Sequence, residues 1–243
     1  MCQCLISEAA HDIYETGIVR TASFSGGGRL VPIVREGYPF IGTCFLLAVL
    51  FGFGLHPYAA AVPAVLMLYF LYFFRNPSRQ ILRDETAILS PADGTVQEVA
   101  ELAHDPDEFV AGPCRKVVIF MSVFNVHVNR SPIDGEIKLQ KYFCGRFRPA
   151  YKDEVGFENE HHLIGIESSR LRITVKQIAG ILARRIVSWV TLDDALRQGE
   201  LYGMIRFGSC LEVVMPAEDV DVLVKPGQKV TGGKTILGRI RRK

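Results

Sequence analysis

The residues able to do chemistry are few and lie far apart in the chain. Near the C-terminus, Gly203-Met-Ile-Arg-Phe-Gly-Ser-Cys-Leu-Glu212 carries a Gly208-Ser209 pair between apolar neighbours. A serine hydroxyl can attack the carbonyl of the residue before it and turn that peptide bond into an ester. Glycine on the preceding side removes side-chain crowding and tolerates strained backbone angles. If a base then takes the serine Cα proton, the ester leaves by β-elimination. The dehydroalanine left behind hydrolyses to a pyruvoyl group and ammonia. A pyruvoyl ketone forms Schiff bases with amines and draws electrons from a developing carbanion. The plain alternative is a turn serine at a strand edge.

Two other segments offer proton carriers. His127 lies inside the apolar stretch Met121-Ser-Val-Phe-Asn-Val-His-Val-Asn-Arg-Ser-Pro132, and Asp93 lies in the turn Pro91-Ala-Asp-Gly94. Serine, histidine and aspartate on separate segments can form a proton-transfer triad. The bland readings are a satisfied core histidine and a turn-forming aspartate. A Ser-His-Asp hydrolase is disfavoured, because the chain has no G-x-S-x-G elbow.

These residues need elements to hold them. The chain has 243 residues, a net charge of +2, 49% apolar and 22% charged residues. That charge is too small to point to nucleic acid. The apolar excess is concentrated in residues 37–74, which contain no Asp, Glu, Lys or Arg. The run divides at His56-Pro57 into Phe40–Leu55 and Tyr58–Phe74. Each half makes a helix of roughly 25 Å, slightly short of a bilayer core. Arg29 and Arg35 before the run, and Arg75, Arg79 and Arg83 after it, place both ends on the cytoplasmic side. The expectation is a hydrophobic hairpin, spanning or re-entrant. A helical hairpin buried in a soluble core is the alternative.

Residues 1–36 read as a polar extension with a flexible patch at Thr21–Gly28. Residues 37–76 form the hairpin and 77–243 the soluble domain. The six cysteines make no C-x-x-C pair and no zinc-like spacing, so they read as reduced thiols with no metal site.

After Arg83 short β-branched runs alternate with turns. Strands are predicted at Thr95–Val99, Lys116–Met121, Glu136–Tyr142, Leu163–Glu167, Arg170–Val175, Leu211–Met215 and Val220–Val224. Turns fall at Pro91–Gly94, Pro132–Gly135, Lys225–Gly227 and Thr231–Gly233. One helix is predicted at Ala179–Val190, where Ile181, Leu182, Ile186 and Trp189 fall near helical spacing. The fold class is mostly β within α+β: a β-rich barrel or sandwich preceded by the N-terminal helical hairpin. Its two ends, Pro91–Val96 and Val224–Leu237, have a lipoyl-like character. That raises a rival function, a carrier or other non-catalytic membrane-anchored module. A carrier needs an exposed modifiable lysine at a hairpin tip, usually within Met-Lys-Met or Asp-Lys-Ala, and neither tripeptide is present.

Taken together, these segments resemble the phosphatidylserine decarboxylase family in its short form. The resemblance rests on Ser90-Pro-Ala-Asp-Gly94, Phe120–Arg130, Glu158-Asn-Glu160, Gln177–Ile186, Gly203–Ser209 and Phe73-Phe-Arg-Asn-Pro77, and runs from about Pro39 to Leu237. It implies self-cleavage between Gly208 and Ser209 into a large chain, 1–208, and a small chain, 209–243, that stay together as a heterodimer. Ser209 would become the covalent pyruvoyl cofactor and bind the amine of phosphatidylserine in the membrane. Carbon dioxide would leave, and protonation would give phosphatidylethanolamine.

By the same resemblance, Asp93 and His127 are the proton-transfer residues of cleavage, decarboxylation or both. Long-form members carry a second histidine where this chain has Arg130, and short-form members usually carry arginine where this chain has Cys210. The substrate phosphate needs cations, for which Arg130, Arg146 and Arg148 are the candidates. The cytoplasmic face of the cell membrane is the expected location. A homo-oligomer is left open, as is another seryl phospholipid, such as archaetidylserine, as substrate.

Overall fold

The computed structural model describes residues 32–54, 56–81, 83–145, 159–180, 185–206 and 209–241. The patch at Thr21–Gly28, Arg146, Arg148, Glu158, Phe207 and Gly208 lie outside the described residues.

The uncharged run forms two helices, α1 (Tyr38–Gly54) and α2 (Ala61–Phe73). A 3-10 turn, Arg35–Gly37, leads into α1, and another, Pro57–Ala60, leads into α2. Pro57 fits the start of its turn because that position has no intrahelical use for an N–H. His56 Nδ1 accepts the Tyr58 N–H at 3.4 Å. Both helices are apolar on every side, so no solvated stripe exists; Phe45, Leu50, Phe53, Val62 and Leu68 are all exposed. Arg35–Gly54 is the one described helix long and apolar enough to cross a membrane, and Tyr58–Phe73 is shorter.

The hairpin is fastened at its root. Val34 N–H donates to Phe74 O at 3.0 Å and Asn76 N–H to Pro32 O at 2.7 Å. Trp189 Nε1 donates to Glu36 at 2.8 Å. Phe73 and Phe74 are fully buried and pack with Val34, Val126, Val128 and Met204 as a small core of their own.

The rest is strand. β1 is Ala87–Leu89, β2 Gly94–Leu102, β3 Cys114–Met121, β4 Val128–Arg130, β5 Gly135–Phe143, β6 His161–Glu167 and β7 Arg172–Ala179. β8 is Ile186–Ser188, β9 Ala195–Leu196, β10 Leu201–Ile205, β11 Ser209–Pro216, β12 Val220–Val222, β13 Lys229–Val230 and β14 Ile236–Ile240. An eight-stranded sheet has the order β13-β2-β3-β11-β7-β6-β5-β9, and two three-stranded sheets have the orders β4-β10-β8 and β1-β14-β12. Among the described residues the strand pairings are all antiparallel. Alternate apolar residues such as Val117, Ile119, Val175, Leu211 and Val213 point to one main core. The fold is mostly β with a helical hairpin in front, as the sequence pattern implies.

The helix expected at Ala179–Val190 is not formed where the chain is described. Ala179 closes β7 opposite Ser209, and Ile186–Ser188 is β8, paired with β10. Ile186 is buried among strand residues. Edge pairing, which one sequence cannot display, outweighs the near-helical spacing of apolar residues. Residues 181–184 lie outside the described residues.

The two ends of the domain meet. β13 pairs with β2 through Lys229↔Thr95 and Val230↔Gly94, and β14 pairs with β1. Gly94 is needed where the strands draw close, since a Cβ there would overlap the Phe120 carbonyl oxygen. Gly94→Ala is therefore expected to cost about 1–3 kcal/mol, seen as a Tm several degrees lower in detergent-solubilised protein. An unchanged Tm would contradict this packing.

Candidate active site

Ser209 is the first residue of β11 and is fully buried. It stands in register with Met121 of β3 on one side and Ala179 of β7 on the other. Its hydroxyl points at the Met121 sulfur, 3.5 Å away, and has no oxygen acceptor among the described residues. Asn159, from the Glu-Asn-Glu triplet, holds the end of β7 by donating to Ala179 O at 2.8 Å. Only residues 206–208 link β10 to Ser209.

His127 flanks the same link. Its carbonyl accepts the Ile205 N–H at 3.3 Å, at the end of β10. Its Nδ1 lies 3.0 Å from Asn125 O, so Nδ1 carries the proton and Nε2 the lone pair. Nε2 is buried and has no partner among the described residues. The ring lies against Phe73 of α2, with centroids 4.2 Å apart. Burial pushes its pKa down to about 4, despite the Asn125 hydrogen bond, and Arg75 pushes the same way. The imidazole is therefore neutral at physiological pH, the form a base requires.

Asp93 precedes β2, which is separated from β11 by β3. Both its carboxylate oxygens are engaged. Gly232 N–H donates to Oδ1 and Arg79 to Oδ2, each at 2.7 Å. Arg79 is nearly buried and donates also to Gly232 O at 3.0 Å. Arg130 lies beside this pair. Its guanidinium donates to Gly199 O at 3.0 Å, Asn76 Oδ1 at 3.1 Å and Pro77 O at 3.4 Å. Burial pushes its pKa down to about 10; Arg79 adds to the shift and Asp93 opposes it. These bonds go to protein oxygens, and the Arg130 N–H donates to Pro91 O at 2.9 Å, so Arg130 braces the hairpin exit against the Asp93 turn.

Sequence reasoning took Arg79 for a flanking membrane charge and passed over a buried polar chain behind Ser209. Gln140 donates to His162 Nε2 at 3.0 Å, and His162 Nδ1 to Gln177 Oε1 at 2.9 Å. Gln177 donates to Asn129 Oδ1 at 2.8 Å, and Asn129 to the Met121 sulfur at 3.8 Å. Asn129 and Ser209 thus meet on one thioether, a weak acceptor. A signal for these bonds lies in Asn129 and Gln177, which stand in apolar runs, where unpaired polar groups are costly.

Comparison with known proteins bears on this arrangement. A family model described as "Phosphatidylserine decarboxylase" matches residues 66–238. A protein of Carboxydothermus hydrogenoformans named "Phosphatidylserine decarboxylase proenzyme" is 45% identical over 207 residues, covering 85% of this chain and 96% of the relative. Relatives with the same name from Symbiobacterium thermophilum and Syntrophus aciditrophicus are each 46% identical, covering 86% and 85% of this chain and 95% and 96% of their own lengths. The chain belongs to the phosphatidylserine decarboxylase family.

The buried imidazole makes stability depend on pH. The unfolded chain protonates His127 near its ordinary value of 6.5, whereas the native chain resists until about pH 4. Stability is complete above the unfolded value and falls with pH below it. His161 and His162, also lowered by burial, act the same way, and Glu212, raised by burial, opposes them. His127→Gln is expected to remove roughly 2–3 kcal/mol of the loss between pH 7 and pH 4. Denaturant melts of wild type and variant at several pH values measure it. Parallel pH profiles would show that His127 is not buried neutral.

Proposed function

We propose that this chain is a proenzyme that cuts itself between Gly208 and Ser209. The resulting two-chain enzyme decarboxylates phosphatidylserine to phosphatidylethanolamine and carbon dioxide at a membrane surface. One observation carries the reading: Ser209 is fully buried at the head of β11, immediately after the short link from β10, in a chain 45–46% identical to decarboxylase proenzymes over most of its length. The activity comes from the relatives' names, and the site supports it.

The surroundings of Ser209 fit a pyruvoyl group derived from it. The position is dry, strand partners hold it on both sides, and a nearby donor, the Asn129 amide, has only the Met121 sulfur to bond to among the described residues. Such a group supplies an electrophilic carbonyl that accepts the electron pair released as carbon dioxide departs.

The protein residues do the rest. Ser209 Oγ attacks the Gly208 carbonyl, its proton passing to the Ser209 nitrogen as the C–N bond breaks, and loss of the Ser209 Cα proton to a base then expels the Gly208 carboxylate and separates the chains. Neutral His127, whose Nε2 has no partner among the described residues, is the base we assign to proton transfer beside that link. Asp93 is fixed by Arg79 and Gly232, which suits a positioning and electrostatic role. The large and small chains remain associated through their shared sheets. Arg146 and Arg148 are proposed to meet the substrate phosphate, and Arg130 braces the site. The apolar hairpin, with arginines at its root, is proposed to hold the enzyme on the cytoplasmic face of the membrane.

Intact-mass analysis of purified protein is expected to find residues 1–208 and 209–243 as separate chains, the second with a blocked N-terminus. Ser209→Ala should leave one uncut chain and no release of carbon dioxide from phosphatidylserine. A wild-type chain that stays whole yet decarboxylates the lipid would refute the mechanism. Arg79→Met is expected to slow scission on the order of 100-fold by displacing Asp93, with Arg79→Lys recovering part of it. Scission at the wild-type rate in Arg79→Met would remove Arg79 from the site.

A further inference from the structure

We propose that the loop Ser122–Asn125 is a second lipid contact, with the Phe124 ring entering the headgroup zone of an anionic phospholipid bilayer beside the hairpin root. The proposal rests on the membrane reading of the hairpin. Phe124 is 66% exposed at the tip of the loop between β3 and β4. A lone exposed aromatic is ordinary; here its fixation and its level make the case.

The loop is built to hold its tip out. Asn125 Oδ1 accepts the Ser122 N–H at 2.9 Å and the Ser122 hydroxyl at 2.8 Å. Asn125 N–H returns to Ser122 O at 2.9 Å. The Phe124 carbonyl accepts from Tyr72 Oη at 3.0 Å and from Arg75 at 2.9 Å. The Arg75 guanidinium stacks on the Tyr72 ring, 3.7 Å from its centroid, and donates to Tyr72 O at 2.6 Å. Phe124 therefore stands level with the last turn of α2, where the uncharged run ends and the first arginine begins.

With the hairpin's apolar length in hydrocarbon, this trio of tyrosine, arginine and phenylalanine falls at the headgroup boundary. Aromatic rings and arginines concentrate there because one end of each side chain is apolar and the other is wet or charged. Arg75 supplies charge complementarity to an anionic lipid, and the ring continues the apolar surface of the hairpin. The same loop holds His127 through Asn125 O, so one short segment touches lipid at its tip and carries the catalytic imidazole at its base.

The test uses the full chain in phosphatidylcholine–phosphatidylserine vesicles. Trp189 is the only tryptophan, so Trp189→Phe gives a silent background for Phe124→Trp and for Phe53→Trp, a hairpin residue 92% exposed. Lipids brominated near the headgroup should quench the tryptophan at 124, and lipids brominated deep in the chain should quench the one at 53. Quenching at 53 without quenching at 124 overturns the loop contact and leaves the hairpin reading standing. Quenching at neither position overturns both. In turnover, Phe124→Ser is expected to raise KM, expressed as mole fraction of phosphatidylserine, about tenfold, and Phe124→Trp to restore it. A wild-type KM in Phe124→Ser overturns the proposal.

Discussion

The structure depends on β11 being gripped from both sides. Its register with β3 runs from Ser209↔Met121 to Pro216↔Cys114, and its register with β7 from Ser209↔Ala179 to Val214↔Thr174. A residue at the head of such a strand stays in place when the bond before it is broken. The ladder already satisfies its neighbours' backbone groups, and leaving would expose them unpaired. Most peptide cuts free an end that frays; this one would free an end that is already buried. The later strands follow the same plan, since β13 and β14 pair with β2 and β1 near the start of the domain. Residues 209–241 are woven into sheets whose other strands come from the larger part of the chain.

Around that fixed point, charge is kept in one place and neutrality in another. The carboxylate of Asp93 is balanced by Arg79, with Arg130 braced alongside. His127 is desolvated and neutral against Phe73. Behind Ser209 the polar groups are amides and a histidine, each satisfied by the next until the chain of bonds reaches the soft sulfur of Met121. A full charge there would be expensive in so dry a setting, whereas neutral donors stay poised at modest cost.

Much of this was legible beforehand. The hairpin announced itself because thirty-eight residues without charge have few soluble uses. The strands of the large sheet were visible as β-branched runs, and Ser209, His127 and Asp93 stood out by type and neighbourhood. The partners of those residues were not visible. Arg79 pairs with Asp93 fourteen positions away, and Gln177 reaches Asn129 across forty-eight; a single sequence carries no record of such register. The Ala179–Val190 segment misled for the same reason, because its strand character comes from pairing with β11 and β10 rather than from its own spacing.

The fastening of the hairpin root has one further consequence. Backbone bonds at Val34 and Asn76, the Trp189–Glu36 bond and the packed Phe73 and Phe74 tie the apolar helices to the β domain that carries His127. A protein so mounted on a bilayer would present its site at one height and one tilt. It would then meet its substrate by lateral diffusion, as a problem in two dimensions. Its working concentration scale becomes crowding within the lipid plane, so diluting phosphatidylserine with other lipids would slow it where diluting the vesicles in water would not.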